Sequence, residues 1–135
     1  MKEIKFRANG IWLEPLWAVA GTRGSWGSSV MKVEFSPEWE GMRSRVTFFP
    51  ANGAEAVEVI VENGEVIIPD EVMESAGTAA FVIDGEVDGR RFVSEKGELR
   101  VIDTANPGGK NPLLLELKEE IEKLKARYEN ELKVL

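Results

Sequence analysis

The 135-residue chain has neither cysteine nor histidine. Without cysteine there is no disulfide framework and no thiolate metal site. Without histidine the usual general base, the commonest metal ligand and every Ser-His or Cys-His nucleophile pair are gone. Hydrophobic runs are short as well: none approaches the roughly 20 residues that a membrane-spanning helix needs. The opening Met1-Lys-Glu-Ile-Lys-Phe6 runs straight into alternating polar and apolar residues and lacks the apolar stretch of a signal peptide. A basic stripe with interleaved aromatics is missing too, which argues against a nucleic-acid partner. The expectation is a soluble protein made in the cytosol, with no catalytic residues, cofactor, metal or membrane span.

The net charge of −7 is unevenly placed. Residues 1–50 hold 7 basic and 5 acidic side chains, residues 51–103 hold 4 and 13, and the rest balances at 6 and 6. The acidity therefore belongs to the middle of the chain, where a solvated face that keeps the protein soluble is the simplest account.

Apolar residues recur mostly with a period of 2, the sign of half-buried strands. Ile4 and Phe6 alternate with Lys5 and Arg7 before an Asn9-Gly10 turn, and a second stretch, Ile11 to Ala20, is interrupted by Pro15. After the Gly/Ser loop of residues 21–29, strands are expected at Val30–Phe35 and Arg45–Phe49. Val57–Val61 and Glu65–Ile68 flank Asn63-Gly64, a strong hairpin signal because both residues tolerate positive φ. Pro69-Asp-Glu71 opens a single helical turn. The last strands are Thr78–Ile83, Arg91–Ser94 and Leu99–Asp103, with Asp84-Gly85 and Asp88-Gly89 as turns. About eight short strands with frequent turn signals predict an antiparallel β-sandwich or small barrel over residues 1–104. Phe35, Trp39, Val46, Phe48, Ile67 and Val101 are its expected core.

Residues 105–111 form a linker of helix breakers, and residues 112–135 change period. Leu114, Leu117, Ile121, Leu124 and Tyr128 follow at spacings of 3, 4, 3 and 4, the a/d seam of a coiled coil, with an amphipathic helix folded back on its own domain as the plainer alternative. Glu120 then falls at g and Lys125 at the following e, the charge pairing of parallel strands. Leu114 at an a position and a wide Tyr128 layer suit three strands better than two, so a homotrimer is favoured over a dimer.

Carboxylates near turns, Glu38, Glu40, Asp70 and Glu71, have no spacing that fixes an acid–base geometry. Asp84, Glu86 and Asp88 alternate as in a hard-cation loop but lack the calcium frame. The Gly21–Ser29 loop has neither a phosphate-loop ending nor a dinucleotide fingerprint. Trp12, Trp17 and Trp26 lie within fifteen residues. They are candidate core plugs, protein-contact anchors or a sugar-stacking platform, the last making the chain a carbohydrate-binding module.

Val33-Glu-Phe35, Ser36-Pro-Glu-Trp39-Glu-Gly-Met42, Val46-Thr-Phe-Phe49 and Val66-Ile-Ile-Pro69-Asp-Glu-Val72 follow one another in order. Together they resemble a small β-sandwich of tail and baseplate proteins from phages of Gram-positive bacteria, upper-baseplate or fibre N-terminal modules. The resemblance covers roughly residues 30–104, with Met42 and Met73 where the family usually has Leu. It implies a non-enzymatic virion structural protein, made in the host cytoplasm, often followed by a trimerising coiled coil and docked to other tail proteins.

Overall fold

A computed structural model of the chain describes residues 1–104 and 120–126. They fall into two units, Met1–Asp103 and a second within Thr104–Leu135. Of the tail only 120–126 is described, and it is helical. The expected linker and Leu114, Leu117 and Tyr128 of the seam lie outside the described residues.

The first unit is mainly β, with two sheets packed face to face. The first sheet contains β1 (Lys2–Asn9), β2 (Trp12–Glu14), β4 (Ser29–Phe35) and β7 (Glu65–Ile67), in the order β2-β1-β4-β7. The second holds β3 (Trp17–Thr22), β5 (Arg43–Phe49), β6 (Val57–Ile60), β8 (Gly77–Val87) and β10 (Gly97–Ile102), in the order β3-β10-β8-β5-β6. A further strand, β9 (Arg90–Val93), pairs with the far half of β8. The sheets are mixed and not wholly antiparallel as expected: β1 runs parallel to β4, and β3 parallel to β10. The cause is the break at Pro15. There the chain leaves the first sheet after β2, adds β3 to the second, and returns as β4 beside β1.

Two turn signals act differently from their sequence reading. Asn63 and Gly64 do take positive φ, 53° and 72°. The strands on either side, however, share only one bridge, Glu62 with Glu65, and then part to different sheets. The hairpin is therefore a corner between sheets, because Val66 and Ile68 are pulled into the core and the Gly64 carbonyl accepts the Val33 N–H at 2.8 Å. Asp84-Gly85 is no turn at all. It lies inside the 11-residue β8. There Asp84 is paired to arginines on both neighbouring strands, and buried Gly85 gives room to Met42.

Inward residues of both sheets make one core. Phe6 of the first sheet meets Phe81 of the second edge to face, with centroids 4.9 Å apart. Phe48 stands beside Phe81, and Trp39 lies between Phe35 and Phe92. Trp39, in the 3-10 turn Pro37–Trp39, donates its indole N–H to the Gly10 carbonyl at 2.9 Å. Of the six expected core residues, Trp39, Val46, Phe48 and Val101 are buried and Phe35 is half-buried. Ile67 is 55% exposed, since the alternation in β7 sends Val66 and Ile68 inward instead.

Between the Asp84–Val93 and Phe81–Gly97 pairs, Val82 and Ile83 face three residues, Ser94, Glu95 and Lys96. This bulge turns Glu95 toward the other sheet. Its carboxylate accepts the Leu13 N–H and its own N–H donates to the Ile11 carbonyl, both at 2.8 Å. Beyond the bulge sits Gly97, where an added Cβ would stand 2.3 Å from Phe81 Cζ. Gly97→Ala should therefore destabilise the protein by about 1–3 kcal/mol, the cost of overpacking a filled core. Trp39→Ala should remove roughly 3–5 kcal/mol as a buried aromatic lost. Urea denaturation followed by circular dichroism measures both; losses near zero would mean that the core relaxes freely around these sites.

Candidate interaction surfaces

Trp12, Trp17 and Trp26 are all exposed, at 60%, 46% and 75%, so none plugs the core. The fold also disperses them. Trp12 points outward from the first sheet, because the next residue, Leu13, is the buried one of β2. Trp17 points outward from the second sheet, opposite Glu98 of β10, with the Arg100 guanidinium stacked 3.9 Å above its ring. Trp26 lies in the loop between β3 and β4, which meets the start of β1 where Ser28 accepts the Lys2 N–H. Trp12 faces Asn9 at the other end of β1. Along that strand the two ends are about 23 Å apart. No flat ligand lies across all three rings.

The outer faces of the two sheets differ. That of the first is a charged lattice of Glu3, Lys5, Arg7, Lys32, Glu34 and Glu65, with Lys32 bonded to Glu3 at 2.8 Å and Glu65 at 3.5 Å. The hydrogen bond from Lys32 holds the Glu3 carboxyl below the usual glutamate range and raises Lys32 in return. On the second sheet, one cross-strand row reads Trp17, Glu98, Ala80, Phe49, and another Val93, Asp84, Arg45, Ile60. Phe49, Ile60 and Val93 are each more than 40% exposed.

Asp84 organises the second row. Its side chain is only 4% exposed and takes Arg45 Nε on both oxygens, at 3.1 and 2.9 Å, and Arg91 Nε at 3.2 Å. A buried carboxylate needs such partners. Arg45 reaches Glu86 and Glu58 as well, and its hydrogen bonds to Asp84, with the negative charge around it, raise the guanidinium further. With Arg43 and Arg90, these two arginines line a cleft of about 690 Å³ that Ile60 also lines. Arg45 and Asp84 lie 39 positions apart, and neither spacing nor composition announces the pair.

The remaining sequence candidates are separate from one another. Glu38 accepts a short hydrogen bond from the Ser36 hydroxyl, whose oxygen in turn accepts the Gly10 N–H at 2.8 Å. Asp70 and Glu71 sit in the first turn of α1 (Asp70–Met73), favourable to its dipole. On the 120–126 helix, Ile121 and Leu124 are 51% and 62% exposed. No family model matches the sequence, and no curated protein does.

The Ser36 hydroxyl lowers the Glu38 pKa, with help from a backbone hydrogen bond. A carboxyl depressed in this way adds stability above its unfolded pKa and gives it up as pH falls through the folded one. Carbon-detected NMR titration should find Glu38 below an ordinary glutamate, and Ser36→Ala should bring it back up. An unchanged midpoint in the variant would remove the hydroxyl as the cause.

Proposed function

We propose that this chain is a non-enzymatic structural protein of a phage tail or baseplate. In this reading its C-terminal helix associates in parallel with two copies of itself, and its β head docks onto neighbouring virion proteins. The observation that carries the assembly half is the pair Ile121 and Leu124. They stand three residues apart on one helical face, at a and d of the heptad, and both are exposed. The docking half draws on the resemblance over residues 30–104 and on the outer face of the second sheet, where Trp17, Phe49 and Val93 are each more than 40% exposed. Exposed aromatics of this kind are favoured anchors in protein contacts. Synthesis in the host cytoplasm and residence in the virion follow from the same reading.

Three heptads stabilise weakly, so a trimer held by the helices alone should dissociate near low micromolar concentration. Analytical ultracentrifugation of the intact chain, of a form ending at Gly108 and of the Ile121→Asp/Leu124→Asp double variant tests this. The intact chain should be trimeric at about 100 micromolar, and both altered forms monomeric. A monomeric intact chain would sink the assembly reading, and a truncated form as oligomeric as its parent would move the interface to the head.

A further inference from the structure

Among the described residues, the edge strands β2, β3, β6 and β7 are not treated alike. At β2 the Glu95 corner supplies both a carboxylate to the Leu13 N–H and an N–H to the Ile11 carbonyl. At β3, Lys2 Nζ donates to the Val19 carbonyl at 3.0 Å and Ser29 Oγ to the Ala20 carbonyl at 2.7 Å. That side of the sandwich is capped. On the other side, β6 and β7 diverge from the Glu62–Glu65 bridge, and the hydrogen-bond phase of each strand can be followed.

Val61 donates its N–H to the Ser44 carbonyl at 2.9 Å, one step beyond the Ile60–Arg45 pair. Antiparallel pairs alternate between those that exchange hydrogen bonds and those that do not. Val59 and Val57 therefore spend their polar groups on β5, while Glu58 and Ile60 turn theirs to the side where no described strand pairs with β6. The same count on β7 starts from the Gly64–Val33 and Ser29–Ile68 hydrogen bonds and leaves the N–H and C=O of Ile67 outward. Between the two edges runs a groove of about 600 Å³, flanked by Glu58, Glu62 and Glu65 and by the exposed Ile60 and Ile67.

The geometry points to β6 as an acceptor strand: an extended segment of a partner protein, with basic residues alternating with apolar ones, adds to its open edge. Main-chain donors and acceptors at Glu58 and Ile60 supply the ladder, and the alternation of side chains supplies the selection. On the outer face the basic residues lie beside Glu58 and Glu62, on either side of Ile60, while the apolar ones turn to the inner face beside half-buried Val59 and Val61. A second copy of the chain fits poorly in this place. Two β6 strands side by side would set Glu58 and Glu62 against the same acids, and like charges across a ladder are unfavourable. The glutamates thus act both as a bar to self-pairing and as a choice of partner. The inference stands apart from the proposed virion role and holds whether or not the tail helix associates.

The test uses the full chain, labelled with nitrogen-15, and two synthetic peptides: a capped Lys-Val repeat of four units, and the same peptide N-methylated on the residues whose N–H groups would face β6. The expected result is slowed hydrogen exchange at the Glu58 and Ile60 amides with the first peptide and none with the second. Glu58→Lys/Glu62→Lys should weaken binding of the first peptide by about tenfold or more. Ile60→Pro, which removes an outward donor and no donor to β5, should abolish the protection while the rest of the spectrum stays folded. Absence of protection near a peptide concentration of about 1 mM overturns the proposal. So does equal binding of the methylated peptide, which would reduce the contact to charge attraction, and so does protection spread equally over β2 and β3.

Discussion

The Phe81 ring, seated over Gly97 and against Phe6, is the constraint on which the head depends. Phe81 belongs to β8, Gly97 to the strand paired with it, and Phe6 to the opposite sheet. A side chain at residue 97 would occupy the ring's place, and Leu13 would crowd it from the other side. Gly97 is brought opposite Phe81 by the extra residue at Ser94–Lys96. The same bulge aims Glu95 at β2, where it fastens the edge of the first sheet. One local irregularity thus serves the packing between sheets and the closing of an edge.

Two polar arrangements hold the periphery in comparable fashion. Ser36, Trp39 and Glu38 tie the 3-10 turn to the Asn9-Gly10 turn through the Gly10 N–H and carbonyl. Asp84 ties β5 to β9 through two arginines and keeps β8 straight across a dipeptide that would elsewhere turn. Both join segments far apart in sequence, and both leave exposed surface around a well-defined centre. The outer face of the second sheet and the β6 edge are carried by strands and not by loops.

Much of the strand pattern was legible in the sequence. Alternation located β1, β4 and β5 because a half-buried strand imposes period 2 whatever its partners. Pro15 marked the break between β2 and β3, and Pro69 with Asp70 and Glu71 marked the single helical turn. The misread places share a cause. Asn63-Gly64 specifies a tight reversal but not which sheet receives the next strand. Asp84-Gly85 has turn chemistry, but its long-range ion pairs outweigh that local preference. Ile67 was assigned inward one residue out of phase, because an apolar run of Val66-Ile-Ile68 carries no alternation to set the face.

By itself the sequence determined that this is a mainly β head without thiol or imidazole chemistry, followed by a segment with a heptad pattern. Composition and periodicity are local properties, and they suffice for that. Only the tertiary structure decided that the sheets are mixed, that three tryptophans close in sequence go to two different sheets and a loop, and that Asp84 gathers Arg45 and Arg91. It alone shows which edges are capped. Each of these depends on pairings between strands distant along the chain, where the choice of neighbour is made by burying Phe6, Phe48 and Phe81 together and satisfying the polar groups that remain.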